Sequence, residues 1–197
     1  KLTKDNMNRV LQTHSRAKRT FIQHLMKSEY AVISESYPEY YGNILKDLEK
    51  NTKCMTTQPL TSGIPFIDRY RDVTADTLIL TVDDKFELIE WKEEAKYLER
   101  KDHYDNVKAQ YDATGLVTYR VLTEKYIWQQ PRLKNSLAIH RIAMSSSPEN
   151  KDVIFLRNAL GDDVHGVGEI QQIMKKCRVP IQALWWLIGR QYIDIDR

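Results

Sequence analysis

The stretch FELIEWKEE, Phe86 to Glu94, ends an apolar run with an acid and a base two positions apart. Side chains alternate between faces along a strand, so Glu90 and Lys92 share one surface with Leu88 beside them, while Ile89 and Trp91 take the other. The run reads as a buried strand that closes on Glu90-Trp91-Lys92. A second triplet of the same form, Glu94-Ala95-Lys96, follows the strand and reads as loop. Such triplets arise by chance in a chain that is 29% charged, so position has to single out the first one.

Upstream, VTADTLILTV carries Asp76 at the start of another strand. Asp83-Asp84 makes a hairpin turn between strands at Thr77–Val82 and Lys85–Lys92. Antiparallel pairing then sets the start of the first strand against the end of the second, which brings Asp76 beside Glu90 and Lys92. Two carboxylates there could share a hard cation such as magnesium, which takes one or two carboxylates and keeps several waters. The lysine could orient a nucleophile and stabilise a phosphodiester transition state. The same residues also read as a hairpin end with a cross-strand Asp–Lys pair contributing well under about 1 kcal/mol.

Ser36-Tyr37-Pro38-Glu39 is a capping box with proline in the first turn, opening a helix over 36–50. Glu39 could face the acidic site, although the cap alone explains a glutamate at that position. Further strands are expected at Lys53–Gln58, Ile67–Arg71 and Val117–Leu122, with helices over 99–114, capped by Gly115, and Pro131–Met144. This order implies an α/β class with a mixed sheet flanked by helices. Ser145-Ser146-Ser147-Pro148 breaks the chain. Three short helices are expected after it, at 149–160, 168–177 and 180–188, followed by the strand-like QYIDID, a winged-helix or helix-turn-helix pattern.

With 197 residues, 42% hydrophobic, the chain can bury a full core, and its length suits one domain with room for a small second one. The net charge of +3 permits an anionic partner without demanding one. Residues 1–30 are strongly basic, which suits either a nucleic-acid contact or a solvated arm. Lys101, Lys108, Arg120, Lys125, Arg132 and Lys134 read as a DNA-facing set or as ordinary solvated charges. Cys54 and Cys177 form no metal or disulfide pattern and fit a reducing cytosol. The five histidines show no paired-ligand spacing, and no apolar run reaches membrane-spanning length. The sequence opens on Lys1 rather than methionine, so a trimmed start and missing targeting information are expected. On the consecutive pair Trp185-Trp186, at most one ring can face the centre of a small core.

The residues assembled here look like the PD-(D/E)XK nuclease pattern. More narrowly, the chain from about residue 14 onward resembles TnsA, the endonuclease subunit of heteromeric cut-and-paste transposases. The resemblance is carried by His14-Ser15-Arg16, SESYPE with Glu39, Gln58-Pro59, RYRDVTAD with Asp76, IEWK, VLTEKYI and the closing ALWWLIGRQYIDID. It departs at Ala75, where the wider pattern has proline, at Tyr40-Tyr41, where more charge is usual, and at Glu90, where some relatives carry glutamine.

The resemblance implies a restriction-endonuclease-like core at 1–145 and a small winged-helix-like docking domain at 146–197. It implies that Glu39, Asp76, Glu90 and Lys92 are catalytic, that the three acids bind magnesium, with manganese as a substitute, and that the protein is cytoplasmic. It also implies three partners: transposon-end DNA, the transposase TnsB and the ATP-dependent regulator TnsC. The activity so implied is cleavage of the strand that TnsB leaves intact. Two alternatives stand beside it: a stand-alone restriction- or resolvase-type nuclease, and an inactive nuclease fold serving as an adaptor.

Overall fold

The computed structural model describes residues 20–59, 61–66, 70–145 and 148–193. The histidine and basic residues expected to matter before Thr20 lie outside that set, as do 67–69 of the strand expected at Ile67–Arg71. Two short strands, β1 (Phe21–Gln23) and β2 (Val32–Ser34), lead into helix α1 (Tyr37–Asp47). Then come β3 (Thr52–Thr57), β4 (Thr61–Pro65), β5 (Tyr70–Thr74), β6 (Thr77–Thr81) and β7 (Phe86–Lys92). Helices α2 (Glu94–Glu99) and α3 (Lys101–Thr114) precede β8 (Val117–Thr123), the short α4 (Glu124–Ile127) and α5 (Arg132–Ser145). The chain closes on α6 (Asn150–Leu160), α7 (Val167–Cys177) and α8 (Ile181–Gly189).

The central sheet has the order β3-β6-β7-β8. β3, β6 and β7 pair antiparallel, and β8 runs parallel to β7, so the sheet is mixed. A parallel neighbour needs a crossover, and α2 with α3 supplies it. β7 is covered on both faces, which explains its near-continuous apolar run. On one face Leu88 packs with Val107 and Tyr111 of α3 and with Tyr119 of β8. On the other, the Trp91 ring lies against Gly42 of α1 so closely that a Cβ there would sit 2.5 Å from it. Trp91 also donates from Nε1 to Thr77 Oγ1 at 2.9 Å, which fixes the ring.

The β6–β7 turn follows the expected Asp83-Asp84 position. Asp84 N–H donates to Thr81 carbonyl at 3.0 Å, and Asp84 takes φ +59. That is the three-residue hairpin with a left-handed last residue. Gly115 caps α3 at φ +65.

Several expectations need correction. The strand expected at Ile67–Arg71 overlaps β5, which runs on to Thr74 and pairs antiparallel with β4, a strand that was not expected. The helix expected from 99 breaks at Arg100, and Glu94, expected in a loop, opens α2. Gly189 is the last residue of α8 rather than its cap.

The chain divides into two compact units, one ending at Leu133 and the other beginning at Lys134, which places most of α5 in the second. In that second unit α6, α7 and α8 bury Leu156, Leu160, Met174, Ala183, Leu187 and Ile188. Arg178, at φ +56, makes the tight link from α7 toward α8. Gln191–Ile193 is turn and bend, so the strand expected from Gln191 is not formed there, and the rest of it lies outside the described residues. Both tryptophans of the pair are half-buried, with Trp186 stacked on Tyr192 at 5.9 Å. Among the described residues no helix is long and apolar enough to cross a membrane.

Candidate active site

Ser36 caps α1 in extended conformation, and the Glu39 N–H donates to its Oγ at 3.3 Å. The Ser36 hydroxyl in turn donates to Glu39 Oε1 at 2.8 Å, and the Glu35 N–H donates to Oε2 at 2.8 Å. The box thus closes one residue further out than the usual return to the cap's own N–H. It holds the Glu39 carboxylate rigidly at the helix N-terminus, and the side chain is 8% exposed.

Asp76 lies in the bend just before β6 and is 7% exposed. Its Oδ2 accepts from the Trp91 N–H at 2.8 Å and from Lys92 Nζ at 3.1 Å. Lys92 Nζ also stands 2.7 Å from Glu90 Oε1. The ammonium therefore bridges the two carboxylates. The other Glu90 oxygen, Oε2, is buried and has no hydrogen-bond partner among the described residues. The register explains the grouping: Thr77 pairs with Ile89, so the residues just before and just after them, Asp76 and Glu90, meet at the strand end.

Burial in this cluster opposes charge. It pushes the Glu39 carboxyl up to about 7, with the Asp76 charge adding to the rise and Ser36 and Glu35 hydrogen bonds opposing it. Glu90 is likewise pushed up to about 7 by burial, then by Asp76, against the pull of Lys92. Burial alone would lower Lys92, but Asp76 and Glu90 outweigh it and hold the ammonium well above its ordinary value. Lys92 is therefore charged at every working pH. Glu39 and Glu90 stand near the point where each can hold or release a proton at neutrality.

Glu39 and Lys92 open onto a cleft of about 550 Å³, also lined by Ser36, Lys96, Arg100 and Tyr104. The last three were missed in the sequence as site residues. Tyr104 belongs to the Tyr104, Val107, Tyr111 stripe and reads as core by its spacing. Its hydroxyl is pushed up by burial, while Lys92 and Arg100 pull it down and Glu90 raises it, so it stands among the site's charges.

The scattered cations behave otherwise. Lys101, Lys108, Arg120, Lys125 and Arg132 each pair with a carboxylate.

Among the described residues, no three or more histidine, cysteine, aspartate or glutamate side chains stand together as a ready metal cage. The pair Asp76 and Glu90 still fits a magnesium-type ion. Both offer hard oxygens, Glu90 Oε2 lacks a partner, and such ions need only one or two carboxylates besides water. Glu39 does not complete a group of three ligands with that pair among the described residues, and each of its oxygens accepts one hydrogen bond within the cap. No family model matches the chain, and no curated protein matches it.

Proposed function

We propose that this chain is a metal-dependent DNA endonuclease of the TnsA kind, cutting the strand at transposon ends that a partner transposase leaves intact. The observation that carries the reading is the Asp76–Lys92–Glu90 bridge at the end of β7, with an unpartnered carboxylate oxygen. A structural ion pair has no use for a second buried carboxylate whose other oxygen is left unpaired.

When bound, a divalent ion supplies charge neutralisation and an activated water. Asp76 and Glu90 are the residues that would hold it. Lys92 keeps its proton and is partly exposed to the cleft, so its ammonium can meet a phosphate oxygen on which negative charge grows. The Trp91 N–H fixes the Asp76 carboxylate from behind. Glu39, locked by Ser36, adds negative charge at the wall of the cleft and restrains the site's acids from ionising together.

The partners of the reading are transposon-end DNA, TnsB for strand cutting, and TnsC docked on the helical unit. The test is cleavage of an end-containing duplex in manganese, with and without the partner transposase. Wild type should cut only with the partner, and Asp76→Ala and Lys92→Ala should each lose about 10²-fold or more. Undiminished cutting by Lys92→Ala would sink the mechanism; robust cutting by the chain alone would favour a stand-alone nuclease. The adaptor reading draws on Lys92, which already pairs with both acids, and on the lack of a three-ligand cage among the described residues. It predicts DNA binding with no metal requirement and no cleavage.

A further inference from the structure

Gln58 follows the last residue of β3 in an unusual backbone conformation. It is 1% exposed and has φ +46, in the left-handed region that residues other than glycine rarely enter. Its N–H donates to the Asp76 carbonyl at 2.9 Å. Both polar atoms of its side-chain amide are buried with no partner among the described residues. A buried amide without partners is destabilising, and a leucine would fill the same space without that cost.

The place of Gln58 in the sheet gives the amide a use. Thr57 pairs with Thr77 and Thr77 with Ile89, so Gln58, Asp76 and Glu90 occupy one row across three neighbouring strands. Two more buried atoms without partners belong to this end of the sheet: Glu90 Oε2 and the Tyr119 hydroxyl, which burial and the Glu90 charge push up. Gln23 of β1 also has an unpaired buried amide, but without the left-handed backbone or a bond to a site residue.

We propose that Gln58 is a positioning residue of the acidic site, its amide holding the water shell of the divalent cation that Asp76 and Glu90 take. This rests on the metal-dependent reading above. An amide suits the task because it donates to and accepts from water at once, and burial keeps it oriented before the ion arrives. Groups that orient a metal's surroundings without ligating it contribute to affinity on the scale of 10–100-fold.

The experiment is manganese titration calorimetry on the full chain, as wild type, Gln58→Leu and Asp76→Ala, with thermal melts in chelator alongside. Gln58→Leu should bind manganese at least about tenfold more weakly yet melt no lower than wild type. A lower melting temperature for Gln58→Leu with unchanged manganese affinity would make the residue merely structural and overturn the proposal. So would equal affinity in Gln58→Leu while Asp76→Ala loses binding, a result that spares the nuclease reading. No manganese binding by wild type would overturn both.

Discussion

Glu90 and Glu39 are carboxylates that the fold buries, and burial favours their neutral forms. Their proton affinities in the metal-free protein exceed those of an unfolded chain, whose glutamates titrate near 4.5. The folded state therefore binds more protons than the unfolded state between about pH 4.5 and 7. Stability from these groups is fully present below that window and is lost as pH rises through it. Chemical denaturation in chelator should show the metal-free protein less stable at pH 8 than at pH 5. Glu90→Gln should remove part of the slope and stabilise the protein at pH 8 by on the order of 1–3 kcal/mol; an unchanged slope contradicts the burial argument. A cation held by Asp76 and Glu90 must displace the Glu90 proton, so manganese binding at pH 6 should release protons. Titrations in buffers of different ionisation enthalpy measure that release. Ser36→Ala removes the cap and should cost about 1 kcal/mol, read as a fall in denaturation midpoint.

At the scale of elements, the site depends on α1 lying directly on β7, and Gly42 permits that approach. An added methyl would meet the Trp91 ring at 2.5 Å, and the ring is tied by its hydrogen bond to Thr77. Gly42→Ala gains about 1 kcal/mol of helix propensity but should lose about 1–3 kcal/mol to overpacking. The expected outcome is a lower melting temperature, and a rise would mean that α1 can move off the sheet.

These elements differ in how far they could be read from residues alone. The Ser36–Glu39 box was legible because its partners lie three apart. The meeting of Asp76 with Glu90 was legible because a short turn separates their strands. β1 and β2, at three residues each, are too short to show a period. β4 was obscured by Gly63 and Pro65, which look like breakers. Tyr104 was hidden because one spacing serves both a core position and a site wall. The contact of Gly42 with Trp91 joins residues far apart in sequence, and no local pattern announces it.

For the whole molecule, the acids, the lysine and the cleft all lie in the unit that ends at Leu133, while the helical unit contributes none of them. Ligand that binds only the folded state stabilises by mass action, about 2.7 kcal/mol at a hundred times Kd. Hydrogen exchange in saturating manganese should therefore gain protection in α1, β6 and β7 and leave α6, α7 and α8 unchanged. Protection spread evenly over both units would mean that the ion acts elsewhere.

The nuclease reading stands or falls with a cation site formed by Asp76 and Glu90 at the end of β7. The measurement that tests it most directly is manganese-binding calorimetry on wild type and Asp76→Ala with a short duplex present. Saturable binding by wild type that Asp76→Ala abolishes is the expected result. No binding by wild type at millimolar manganese, or equal binding by both, would contradict it and leave Glu90-Trp91-Lys92 as the charged rim of a sheet.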